Sequence, residues 1–389
     1  MIYEVSNKIE LISALKKATG GEVIKLKPGN YEDVSLDKIQ PKSVVTISSL
    51  SSKDRAVFKN LYISNSTNLT FRKIIINPNE IPSADWAVYG LVQTSKNIKF
   101  IDSEFNAGKD EANYPKGYCF RVYQSISVVF RRNIFRNAIR GLILSDSQKL
   151  LIDSNNFYKL RSDGINMAGV NGVRIVKNWL HDFYTKPGTG DHPDMIQMWS
   201  SGVPDIISSG IEIDSNVLDM GNGSWTQSIF MRNEIVDTGI APTHFYKNIK
   251  VTNNWIRNGH LHGITVGEVD KLLIANNTLI TTHFSEWNTN MLDLRDRIAE
   301  GQGDNSVQRT RIYALNGRNI SVKNNSIYYP YPSTYSPFNY LNKANTASVD
   351  NNVVYENTPI GSYPARPSIL PNMVNEQYGP QVVPITRNT

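Results

Sequence analysis

The chain has 389 residues and a mass of 43.8 kDa, enough for two or three average domains or for one core that grows by repetition. Its 40% hydrophobic content, with 13 Phe, 19 Tyr and 6 Trp, excludes wholesale disorder, and its one cysteine, Cys119, excludes an intrachain disulfide or a cysteine-built zinc cluster. Lys and Arg outnumber Asp and Glu by 41 to 35, a net charge of +6 that leans toward an anionic partner, while no basic run with interleaved aromatics points to nucleic acid and no run of ~18 apolar residues points to a membrane.

At the N-terminus, MIYEVSNKIELISALKK lacks the basic and apolar regions of a secretory signal. Asn7 with Glu10 three residues on has the form of a capping box, and Leu11, Ile12, Leu15 and Ala18 make one apolar helical stripe that stops at Gly20-Gly21. Residues 1–21 are therefore expected to form a strand and a helix that covers the open end of the body of the chain.

That body is built on a repeat. VVFRRNIF, LLIDSNNF, VRIVKNWL, IEIDSNVL, IKVTNNWI, LLIANNTL, ISVKNNSI and ASVDNNVV share apolar or small residues at positions one, three and eight and Asn at position six. The asparagines are Asn133, Asn155, Asn178, Asn216, Asn254, Asn277, Asn325 and Asn352, spaced by 22, 23, 38, 38, 23, 48 and 27 residues. LTFRKIII and IKFIDSEF fit the same frame with Ile74 and Ser103 at the Asn place. Alternation with period two means strand, and a base unit of 22 to 23 residues is one turn of a parallel β-helix. Asn at the bend between two strands would stack into a ladder of amides ~4.8 Å apart. The expected fold is all-β: a single-domain parallel β-helix over residues 22–355, with loops inserted at 181–193, 201–210, 219–226, 234–247 and 280–309, and an irregular proline-rich tail over 356–389.

Aligning the coils on the Asn frame stacks a second strand family beginning at Tyr118, Arg140, Asp163, Asp194, Gln227, His262 and Thr310. Leu142, Ile165, Ile196, Ile229, Ile264 and Ile312 then point inward, and the first residues of the strands form an outward, exposed column. Asp163 and Asp194 would be like charges on neighbouring coils, which needs Arg140, a shared proton or a bound cation to be tolerable. The densest motif, GTGDHPDMIQMW, delivers Asp191, His192 and Asp194 to the same place.

The helix, coil length and Asn ladder resemble the right-handed parallel β-helix superfamily of pectate lyases, alginate lyases, mannuronan epimerases and phage tailspike depolymerases, over roughly residues 20–355. The DHPD run is similar in residue types, though not in order, to the Asp-Pro-His cluster of alginate epimerases and lyases. The resemblance implies a polysaccharide-degrading enzyme acting on an acidic, uronic-acid-containing polymer, as a β-eliminating lyase or a C5-epimerase. Two alternatives stay open: a tailspike-type glycoside hydrolase with paired carboxylates, and a non-catalytic carbohydrate-binding solenoid.

Elimination needs a group to neutralise the sugar carboxylate, a base for the C5 proton and an acid for the leaving oxygen. Arg140, Arg232, Asp163, Asp194, His192 and His262 are the candidate catalytic residues. Arg161, Tyr184, Gln197, Trp199, Trp225, Gln227, His260 and Glu268 are candidates for binding substrate. No cofactor is required by this reading; if one is present, Asp163, Asp191 and Asp194 would hold Ca2+. The expected location is extracellular or on a virion, with attachment to the virion or a homotrimer as the corresponding assembly.

Overall fold

The computed structural model describes residues 1–200, 207–224, 226–281, 309–329, 347–359 and 361–368. Trp225, His283, Trp287, most of the 280–309 insertion and the aromatic and proline run after Tyr329 lie outside them.

Among the described residues, three parallel sheets of 13, 12 and 10 strands wind as one solenoid. We call them sheet A, sheet B and sheet C in the order the chain visits them within each coil. The helix Lys8–Lys17 begins at the expected cap, where Asn7 Oδ1 accepts the Glu10 N–H and Glu10 reaches back to the Ser6 N–H. It buries Leu11, Ala14 and Leu15 against the first coil. The preceding strand Ile2–Val5 pairs in parallel with Val23–Leu26, so the N-terminal strand is the first rung of sheet A rather than a separate unit.

The bend from sheet A to sheet B carries the asparagine ladder. Each side chain bonds the next, from Asn133 Nδ2 to Asn155 Oδ1 at 3.0 Å through to Asn325 Nδ2 and Asn352 Oδ1 at 2.8 Å. The same Oδ1 atoms accept the backbone N–H of the preceding rung at 2.9–3.0 Å. The residue before each ladder Asn lies at a φ of +53° to +57°, which turns the chain through the corner. That conformation costs a non-glycine residue ~1 kcal/mol or more, and the buried amide bonds offset it. The ladder runs on through Ser103, whose N–H donates to Asn133 Oδ1, and ends at Ile74, whose N–H donates to Ser103 Oγ.

A second ladder, which the repeat pattern did not single out, stands at the bend from sheet C to sheet A. The N–H groups of Ser66, Ser95 and Ser125 donate to the hydroxyls of Ser95, Ser125 and Ser147 at 3.0–3.1 Å.

Inside, the expected columns hold: Leu142, Ile165, Ile196, Ile229, Ile264 and Ile312 pair in register and are at most 1% exposed. Phe71, Phe100 and Phe130 stack at 5.3 and 5.2 Å, and Phe135 lies on Phe157 at 4.5 Å. One expectation shifts. The strands pair His262 with Arg311 rather than Thr310, because the register slips between His262 and Ile264.

The third corner, from sheet B to sheet C, holds most of the variable length. It is long over residues 77–87, 107–117 and 182–193, and nearly absent before Arg140 and before Ile165. The described part of the tail turns back over sheet B, where Pro364 accepts a bond from Trp255 Nε1 at 3.2 Å and the Arg366 guanidinium lies 4.5 Å from the Trp179 ring. No described helix is long and apolar enough to cross a membrane.

Candidate active site

The first residues of successive sheet C strands meet as the frame requires. Tyr118 pairs with Arg140, Leu142 with Ile165, Ile165 with Ile196, and Asp194 with Gln227, so Arg140, Asp163, Asp194 and Gln227 occupy four neighbouring rungs. Adjacent rungs are ~4.8 Å apart.

Burial departs from expectation. Strand alternation predicts an exposed column, yet Asp163 and Asp194 are 1% and 0% accessible. The cause is the polar layer around them. Asn166 Nδ2 donates to Asp163 Oδ2 at 2.9 Å and also to Gln197 Oε1, while Gln197 Nε2 donates to Asp194 Oδ2 at 2.9 Å. Trp199 Nε1 closes the layer by donating to Asn166 Oδ1 at 2.9 Å. Thus Gln197 and Trp199 act here as supports for the acids.

Arg140 Nε stands 2.9 Å from Asp163 Oδ2, in ion-pair contact without the alignment of a hydrogen bond. His192 Nδ1 stands 3.6 Å from Asp194 Oδ2, and the His192 side chain is 62% exposed. Burial pushes both carboxyls up. For Asp163, Arg140 and the Asn166 bond pull in the other direction. Asp194 is pushed up to about 7, by burial first and then by the neighbouring Asp163 charge against the opposing pull of His192. Its Oδ1 is buried and accepts no hydrogen bond, as expected of a carboxyl that keeps a proton.

The proposed metal trio does not converge. Asp191 is bonded by Arg161 Nε at 2.7 Å and by the Thr189 hydroxyl, and Arg140 already fills the place a cation would take beside Asp163. Among the described residues no three His, Cys, Asp or Glu side chains gather as metal ligands, and these three do not fit a Ca2+.

Other candidates fall elsewhere. Arg161 is 6% exposed and paired with both Asp191 and Asp85, so it does not face a substrate. Arg232 pairs with Asp237, and Glu268 accepts the Asn233 N–H at 3.2 Å. Both lie five to six residues along their strands from the acid column, ~16–20 Å away, so they stand at the opposite edge of sheet C. His262 is two rungs beyond Asp194, in a layer with Phe230, His260 and Tyr313. Burial lowers His262 to about 4, which keeps its ring neutral. Tyr184 is 40% exposed, and its N–H donates to the Leu160 carbonyl, which sets it one coil beyond Arg161. Gln227 stands next to Asp194, with its Oε1 buried and not hydrogen-bonded. Trp225 lies outside the described residues.

The family described as "Right handed beta helix region" matches residues 118–285, the span that carries this site. No curated protein sequence matches the chain. Among solved structures, the PL6 family alginate lyase AlyGC aligns with a TM-score of 0.50 and 12% identity over 91% of this chain, which spans 51% of the lyase's length. The A-module of the Azotobacter vinelandii mannuronan C-5 epimerase AlgE4 aligns with a TM-score of 0.50 and 14% identity, over 90% of this chain and 96% of that module. Strand topology, family match and structural likeness agree: the chain is a right-handed parallel β-helix, the fold it shares with that lyase and that epimerase.

Proposed function

We propose that the chain acts on an acidic, uronic-acid-containing polysaccharide by removing the proton at C5 of a sugar with His192. The observation that carries this reading is the contrast in burial within the site. Asp163 and Asp194 lie beneath the surface, whereas the His192 side chain is 62% and the Arg140 side chain 33% exposed.

A glycoside hydrolase needs two carboxyl groups in contact with the sugar. Here both are covered, and the groups in reach of a polymer are an imidazole and a guanidinium. Those two suit proton abstraction next to a carboxylate. Arg140 would offset the charge that develops on the uronate, and the His192 imidazole, with Nδ1 toward Asp194, would take the C5 proton through Nε2. The electron pair left at C5 either expels the oxygen at C4, giving elimination, or is reprotonated on the other face, giving the epimer. Tyr184 would serve as the acid: a phenol carries its proton at neutral pH, and burial raises this one further. The likeness to an alginate lyase and a mannuronan epimerase and the net charge of +6 support an acidic polymer, and an extracellular or virion-borne location fits such a substrate.

The test is incubation with a panel of polyuronates in deuterated water. Unsaturated uronide products or deuterium at C5 are expected. Release of reducing ends with neither signal would overturn the reading in favour of hydrolysis.

A further inference from the structure

The loop that carries His192 is anchored far from its own coil. Residues 182–193 leave sheet B and reach sheet C. The first residues of the loop are tied to the adjacent coils, where the Lys159 N–H donates to the Asp182 carbonyl, the Tyr184 N–H to the Leu160 carbonyl and the Thr185 N–H to the Ser224 hydroxyl. Next to His192, by contrast, the loop is held by the Arg161 side chain. Arg161 is 6% exposed and uses two faces of its guanidinium. Its Nε donates to Asp191 Oδ2 at 2.7 Å, one residue before His192, and its Nη2 donates to Asp85 Oδ2 at 3.0 Å. A second tie runs parallel to the first, from Lys186 Nζ to Asp110 Oδ2 at 2.7 Å. Each tie to the N-terminal loops spans 76 residues of chain. The loops 77–87 and 107–117 thus meet 182–193 above the short corners, forming an arch beside Arg140 and Asp163.

We infer that Arg161 is a positioning residue that sets His192 over Asp194 by tethering the 182–193 loop to Asp85. The inference rests on the reading of His192 as the base. Two carboxylates on one buried guanidinium leave Arg161 no net charge to offer a substrate, so its part is mechanical. The fork geometry matters: an ammonium can meet one carboxylate well but cannot hold two in fixed, planar directions. Lys186 and Asp110 limit the loop's travel, while the Arg161 pair fixes the backbone directly beside the base.

Asp85→Asn is the main test, because Asp85 is half exposed, is not one of the reacting groups and keeps its shape in the variant. Arg161→Lys is the companion variant, which keeps the buried charge and loses the fork. Amide hydrogen exchange across 182–193 is measured alongside kcat and KM on the best polyuronate from the panel. Both variants are expected to exchange faster in 182–193 and to lose about 10- to 100-fold in kcat with KM changed less than about threefold, as a misplaced base would produce. Unchanged exchange overturns the tether, whatever happens to turnover. Faster exchange with unchanged kcat overturns the positioning role. The exchange arm needs no turnover, and His192→Ala tests the base separately, so failure of the tether and failure of the chemical reading are distinguishable.

Discussion

Asp163 and Asp194 stand on consecutive rungs of sheet C, both sealed from solvent, and only Asp163 has a guanidinium in contact, with Arg140 Nε at 2.9 Å. The two acids are therefore unequal. Burial raises both carboxyls; the Arg140 contact favours the charged form of Asp163, while Asp194, without such a contact, is raised to about 7.

This inequality sets a pH dependence for stability. The Asp194 carboxyl titrates at about 7 in the folded chain, against ~3.9 when unfolded. Between those values the native state holds a proton that the unfolded state has released. Its contribution is full below ~4 and is lost as pH rises through ~7. Asp194→Asn should thus match the wild type near pH 4 and exceed it at pH 8, by up to about 2–4 kcal/mol. Denaturant unfolding at both pH values checks this, and parallel curves for the two proteins would refute it. Turnover should fall about 100-fold, since His192 loses its partner.

Arg140 carries the opposite risk. Arg140→Met leaves the Asp163 carboxyl buried beside an apolar side chain, at a cost of about 3–5 kcal/mol. Adding Asp163→Asn should recover most of that loss without restoring turnover. A double-mutant cycle in thermal and denaturant melts measures the coupling, and additive losses would show that the two residues act independently.

His192 is the cheapest residue in the site to remove. Its exposed side chain predicts a stability change within about 0.5 kcal/mol for His192→Ala. The loss of a general base predicts a rate lower by about 10²- to 10⁴-fold. A variant that retains wild-type rates on the polymer that the wild type processes would take His192 out of the chemistry.

The fold itself is most exposed to damage at the ladders. Asn178 accepts from the N–H and Nδ2 of Asn155 and donates to the Ile152 carbonyl and Asn216 Oδ1, all within 3.0 Å. Asn178→Ala leaves several of these buried groups unpaired and should cost about 3 kcal/mol or more. Ser95→Ala removes fewer bonds, and a loss nearer 1 kcal/mol is expected. Equal losses in urea melts would contradict the ranking.

Much of the fold is legible in the sequence. The asparagine at position six marks a corner because the bend needs both an unusual backbone conformation and a buried amide, and few side chains supply the bonds. That requirement recurs on every coil, so it leaves a periodic trace. The serine ladder has a trace as well: Ser66, Ser95, Ser125 and Ser147 each stand eight residues before Ile74, Ser103, Asn133 and Asn155. Serine is common enough on surfaces for that signal to pass unnoticed.

The site is legible in membership and not in role. Register alone brings Arg140, Asp163 and Asp194 together, since strand pairing is local and repeats from coil to coil. Exposure is another matter, because Asn166, Gln197 and Trp199 cover the acids through side-chain bonds that an alternating pattern does not encode. Arg161 reads from the sequence as a substrate contact for a similar reason. Its partner Asp85 lies 76 residues earlier, in a loop with no repeat to align it.

The sequence by itself determined the winding: strand, bend and inward column recur with the chain, so short-range rules add up to a long-range architecture. Tertiary structure alone decided which acid is buried, which arginine is occupied and which histidine meets solvent. Those outcomes depend on loops from different coils meeting in space, and on the desolvation and charge pairing that arise only once they have met.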